Sequence, residues 1–233
     1  MSDSPSAPAR VPVWDWPVRI FHWGIVVLLA LLYLSGHSWG QENLHLTMAH
    51  HMFLGKLALT FIVFRVLWGF VGSDTARFAN FLKGPSAVLA YLRHVKAGGA
   101  FTGLGHNPLG ALMMVALMGL IGLTAITGLF TTDDIMTDGP FVHLVSAATA
   151  ETLSWIHRNL FDVILILASV HIAAALFYKF VRKDDIITPM ITGYESKVIP
   201  AKEPHFVSES TALNWFLACA VIVWVGIRLI AGA

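Results

Sequence analysis

The stretch Ile156-His157-Arg158-Asn159-Leu160-Phe161-Asp162-Val163-Ile164-Leu165-Ile166-Leu167-Ala168-Ser169-Val170-His171-Ile172-Ala173-Ala174-Ala175-Leu176-Phe177 decides the fold. With its continuation to Val181 it is long enough to cross a hydrocarbon core, which takes about 20 mostly apolar residues. An ionisable side chain inside such a run is costly and marks function by default. Fourteen residues separate His157 from His171. At about 100° and 1.5 Å per residue this is nearly four full helical turns and a rise of about 21 Å. Both imidazoles therefore share one helix face, near opposite ends of the span.

Four more runs have this character. The set is Ile20–Gly36, Met48–Gly72, Leu109–Phe130, Ile156–Val181 and Ala212–Ala231. Apolar residues make up 56% of the 233 positions and charged residues 12%, about half the charged share of a soluble domain; mean hydropathy is +0.70. The expected architecture is an all-α membrane protein: a four-helix transmembrane bundle plus a fifth, C-terminal transmembrane helix. The expected divisions are a flexible tail over residues 1–12, a membrane domain over 13–200, and a linker with the added helix over 201–233. The first run carries His22 and Trp23 and no small-residue cleavage site, unlike a signal peptide.

The net charge of +1 gives no sign of nucleic-acid binding. The distribution of charge is more telling. Arg10 and Arg19 precede or open the first span, and no Lys or Arg lies between His37 and Thr47. Arg77, Lys83, Arg93 and Lys96 fill the second loop. The third, Thr131 to Ser154, has only acids: Asp133, Asp134, Asp138 and Glu151. The fourth has Lys179, Arg182, Lys183, Lys197 and Lys202. The positive-inside rule then puts the N-terminus in the cytoplasm and the C-terminus outside. Arg228 departs from the pattern and can snorkel. Cys219 is the single cysteine, which excludes internal disulfides and cysteine-ligated clusters, and no C-x-x-C-H is present.

Trp14 and Trp16 flank the first span and belong at headgroup level, with Pro17 at its start. Pro85 to Leu92 places Val88, Leu89 and Leu92 on one stripe, predicting a short surface helix ended by Gly98-Gly99. Gly110, Gly119, Gly122 and Gly128 let a neighbouring helix or a flat cofactor approach the third span.

Of eleven histidines, His37, His45, His94, His106, His143 and His205 fall in loops or at helix ends. His22, His50, His51, His157 and His171 lie within or at the ends of spans. With the helix directions deduced above, His51 and His157 share the outer level and His22 and His171 the inner. Two couples, one above the other, suit two bis-histidine haems, since imidazole is a usual axial ligand. Both axial positions are then filled, which favours electron transfer over oxygen chemistry. His50 and His51 differ by about 100° in direction, so only one can face a given haem. Gly55, one turn on, leaves room for a porphyrin beside His51, which is preferred; His50 is the alternative.

Haem propionates need cationic partners or water. Arg65 is fourteen residues after His51, on the same face and at the inner level; Arg19 is three residues before His22; Arg158 follows His157. Arg65 and Arg19 are the expected inner partners and Arg158 the outer one, with snorkelling as the competing role. Lys56 lies in the outer half.

Val13-Trp14-Asp15-Trp16-Pro17-Val18-Arg19-Ile20-Phe21-His22-Trp23, His51 with Gly55, Phe64-Arg65-Val66-Leu67-Trp68-Gly69-Phe70-Val71-Gly72, the His157/His171 spacing, and Arg182-Lys183-Asp184-Asp185-Ile186 through Met190-Ile191-Thr192-Gly193-Tyr194 together resemble the prokaryotic cytochrome b561 family. That family includes the b-type cytochrome subunit of nickel–iron hydrogenases. The resemblance runs from Val13 to about Lys197. It implies two non-covalent haem b groups, quinone or quinol exchange with the membrane pool, and a periplasmic redox partner, either a c-type cytochrome or a hydrogenase. It also implies the bacterial inner membrane, with lipid and a second copy of the chain as further neighbours. The fifth span lies beyond the family's common four-helix core and leaves the partner open. His106, Asn107 and Asp162 are candidates beside a quinone. A metal-ion transporter, or an anchor subunit without redox turnover, is the competing class; a transporter needs ligands converging on one midplane site.

Overall fold

The computed structural model describes residues 10–133, 137–196 and 203–232, and only the backbone at Ser38 and Trp39. Of the tail expected over residues 1–12, residues 1–9 lie outside the described residues, as do Asp134, Lys197 and Lys202, while Val11–Pro12 form a strand. In chain order the elements are β1 (Val11–Pro12), α1 (Trp16–Ser35), α2 (Ser38–Leu44), α3 (Met48–Val71), α4 (Phe78–Phe81), α5 (Pro85–Lys96), α6 (Pro108–Gly128), a 3-10 turn (Val142–Leu144), α7 (Ala147–Phe180), α8 (Ile187–Thr192), β2 (Tyr194–Glu195) and α9 (Glu209–Ala231). Five of them, α1, α3, α6, α7 and α9, are long and apolar enough to cross a membrane. The chain is an all-α membrane protein.

Each of the five starts on a polar side chain that accepts from the third backbone N–H of its helix. Asp15 accepts from Val18, Thr47 from His50, Asn107 from Gly110, Ser146 from Thr149 and Ser208 from Thr211. A helix leaves four N–H groups without internal partners at its start, and a capping oxygen satisfies one of them. These caps fix where each helix begins, and so the depth of every side chain along it. Ser146 starts α7 nine residues before the apolar run at Ile156. At 34 residues α7 is about 51 Å long and outreaches a 30 Å core. Helix α5 forms where the Pro85–Leu92 stripe predicts it, with Leu89 and Leu92 exposed and Tyr91 buried.

Helix α3 is central, flanked by α1, α6 and α9, while α7 packs along α6. Phe21, Ile25 and Leu28 of α1, Ala58 and Ile62 of α3, Met118 and Ile121 of α6 and Ile164 of α7 close one core cluster. A second gathers Val13, Trp14 and Val18 with Phe64, Trp68, Ala212 and Cys219. Helix α9 lies on α3 through Phe216, whose ring meets Phe61 at 5.4 Å and Phe64 at 5.5 Å. Trp224 also donates to the Thr60 hydroxyl at 3.2 Å. Large apolar side chains elsewhere on the spans, among them Phe70, Ile166, Ile222 and Leu229, are exposed, as lipid-facing residues are.

The loops carrying Arg77, Lys83, Arg93, Lys96, Arg182 and Lys183 share one end, the basic end, with the start of α1. The opposite, acidic end carries Asp133, Asp138 and Glu151. At the basic end β1 pairs antiparallel with β2. The carbonyl of Gly193 accepts from Val13 N at 2.8 Å and Trp14 N at 3.1 Å. Gly193 has φ +92°, which glycine adopts without strain, and it closes α8. This clamp also sets Trp14 apart from Trp16. Only Trp16 faces outward, while Trp14 is buried because β1 draws it under the helix ends.

Candidate haem site

Helix α7 brings two other helices to its two histidines. The His51 ring of α3 stands 6.1 Å, centre to centre, from His157. The His22 ring of α1 stands 6.3 Å from His171. An imidazole nitrogen sits about 2 Å from a bound first-row metal and its ring centre about 1 Å further, so two imidazoles facing across one ion have centres about 6 Å apart. Both couples fit that span. His22 lies in the second turn of α1 and His51 in the first turn of α3, so the couples fall at opposite ends of the bundle.

At the acidic end the protein itself holds both rings. His51 Nδ1 is 3.1 Å from the Leu32 carbonyl and 3.0 Å from the Ser35 hydroxyl. His157 Nδ1 is 2.8 Å from the Thr124 carbonyl. A carbonyl oxygen only accepts, so each Nδ1 carries the proton and each Nε2 keeps its lone pair for a metal. Glycine makes the space. A Cβ at Gly128 would stand 2.8 Å from His157 Cε1, and one at Gly36 would stand 3.3 Å from His51 Cε1. A Cβ at half-buried Gly55 or at exposed Gly119 would meet no atom within 4 Å. His50 points elsewhere. It is exposed, and its Nδ1 accepts the Thr47 N–H at 3.0 Å as half of the α3 cap.

The basic end is different. Among the described residues, every buried side-chain nitrogen or oxygen without a hydrogen-bond partner is there: Arg19 Nε, His22 Nδ1, Arg65 Nη1, Thr75 Oγ1 and His106 Nδ1. Arg65 is 1% exposed. One of its nitrogens donates to the Ala76 carbonyl at 3.3 Å, and its guanidinium lies 5.4 Å from the Phe78 ring centre. Asp15, also buried, accepts from Trp68 Nε1 at 2.9 Å and from Val18 N at 2.9 Å, adding an anion to this region. Arg19 donates to the Ile191 carbonyl and lies over the Trp16 ring at 4.7 Å. His22 meets the edge of Trp23, 4.8 Å between centres. His106 sits between Trp14 and Phe81, each 4.7 Å away. Burial above all, then the Arg65 guanidinium, lowers its pKa to about 3, so it stays neutral near pH 7.

The remaining expected residues are scattered. Arg158 and Asp162 are exposed on α7. Lys56 lies over the Trp224 ring at 5.0 Å, turned to α9. Asn107 spends its side-chain oxygen on the α6 cap at 2.8 Å. Sequence reading passed over Asp15, Ser35 and Trp68. Asp15 had a usable signal, a capping residue two positions before Pro17. The carbonyls of Leu32 and Thr124 had none. Among the described residues no group of three or more His, Cys, Asp or Glu converges to hold an ion.

Comparisons with curated proteins and with solved structures return no match. The family model described as prokaryotic cytochrome b561 matches residues 13–193, from the residue after β1 to the glycine that closes α8, and the chain therefore belongs to that family of membrane b-type cytochromes that bind haem and carry electrons.

Proposed function

We propose that the chain carries electrons across the bacterial inner membrane through two bis-histidine b haems in series. One would be held by His51 and His157 and the other by His22 and His171. The observation that carries this reading is the pair of imidazole couples, 6.1 Å and 6.3 Å between ring centres, sharing helix α7. Bound haem iron supplies a one-electron couple. The protein's part is to fill both axial positions, fix the tautomers at the acidic end, and exclude water with the α1, α3, α6 and α7 side chains.

By the positive-inside rule the basic end is cytoplasmic and the acidic end periplasmic. Arg65 and Arg19 each carry a buried N–H without a hydrogen-bond partner among the described residues, and such cations would suit the carboxylates of an inner haem. Arg158 is the corresponding cation of the outer one, and Gly55 gives the porphyrin room beside His51. The acidic loops favour a cationic periplasmic partner, a c-type cytochrome or a hydrogenase-like protein. The chain would exchange electrons with the quinone pool of the membrane. Of the quinone's three candidate neighbours, His106 has the free buried nitrogen, whereas Asn107 is engaged as a cap and Asp162 is exposed.

A reduced-minus-oxidised visible spectrum of the purified protein tests this reading. Low-spin b-type bands are expected. Bound zinc without haem would support the transporter instead, and a colourless, metal-free chain the anchor.

A further inference from the structure

We infer that Ser35 is a positioning residue that sets the orientation and donor strength of His51. This rests on the His51–His157 haem proposed above. Ser35 is wholly buried in the last turn of α1. Its hydroxyl donates to the Leu32 carbonyl at 3.2 Å and lies 3.0 Å from His51 Nδ1. With its proton on Leu32, its lone pair faces the Nδ1–H of His51. That N–H is therefore shared between the Ser35 hydroxyl and the Leu32 carbonyl, itself 3.1 Å away. A serine that only bonded back onto its own helix would be satisfied by Leu32 alone.

The surrounding chain fixes the arrangement. Gln41 donates to the Ser35 carbonyl at 3.0 Å and holds the end of α1. Gly36 keeps its side clear, since a Cβ there would stand 3.3 Å from the His51 ring. An acceptor on the distal N–H of an axial imidazole makes the ring a stronger donor. A stronger donor favours ferric over ferrous iron and lowers the midpoint potential. The His22 ring, with no acceptor on Nδ1 among the described residues, lacks that support.

The test is a redox titration of the purified, haem-loaded full chain as wild type, Ser35→Ala and Ser35→Thr, with haem counted in each. The haem that His51→Ala removes is the one to follow. In Ser35→Ala it should stay bound, and its reduced-to-oxidised ratio at a fixed applied potential should rise about three- to tenfold, the scale of one hydrogen bond. Tenfold corresponds to about 59 mV for a one-electron couple. Its low-spin resonance signal should move as well, and Ser35→Thr should restore both. Two bound haems with neither quantity moved would overturn the inference, as would an equal shift in both haems. Fewer than two haems in the wild type would overturn the underlying di-haem reading instead.

Discussion

The two histidine couples use the same chemistry in opposite surroundings. At the acidic end, backbone carbonyls of α1 and α6 take the outer N–H of both rings. At the basic end five buried polar atoms, Arg65 and His106 among them, have no partner within the described residues. The acidic-end site is completed by the fold itself. The basic end keeps a buried cation and other unpaired polar atoms among the described residues, and on the proposed reading a ligand rich in acceptor oxygens would complete them. On that reading, two levels of one bundle would hold the same group with different neighbours and potentials.

The largest effect expected from this contrast is selective loss. His171→Ala should remove the basic-end haem and keep most of the acidic-end one, and His51→Ala should do the reverse, each read by haem assay and spectrum. Loss of both haems from each variant would erase the distinction. Next is the glycine wall. Gly128→Ala places a methyl 2.8 Å from His157 Cε1. Overpacking of that kind costs about 1–3 kcal/mol, so haem affinity should fall at the acidic end only, measured by haem titration of the depleted protein.

Third is the buried cation. Arg65→Met should lower the midpoint potential of the basic-end haem and weaken its retention by about 1.5–3 kcal/mol, the scale of a hydrogen bond to a charged group. The acidic-end haem serves as the internal control. The smallest effect concerns acid. His106 binds its proton at about pH 3 when folded, against an ordinary value of 6.5. A depressed pKa gives stability that is complete above the unfolded value and lost as pH falls towards the folded one. Between pH 6.5 and 3 the basic end should therefore loosen first, and His106→Gln should flatten that slope in a spectral acid titration.

Much of this contrast had no letter in the sequence. The five spans were legible because length and hydropathy decide membrane crossing. The shared levels of His22 with His171 and of His51 with His157 were legible because helical period and the up-and-down order of the spans fix depth in the bundle. The choice of His51 over His50 rested on Gly55, and the structure turns His51 to His157 while His50 caps its helix. The carbonyls of Leu32 and Thr124 are backbone groups and carry no side-chain signature. At the basic end Trp14 meets His106 and Arg65 reaches the Ala76 carbonyl, contacts that only the folded chain makes. The start of α7 was misplaced because Ala147–Trp155 is not apolar enough to mark a span, although Ser146 caps it.

Counting haem per polypeptide in the purified full chain, with the spin state of the oxidised iron recorded on the same sample, tests the central claim most directly. Two low-spin haems per chain are expected. A single haem, or iron with an open axial position, would contradict the pairing of four imidazoles into two ligand couples.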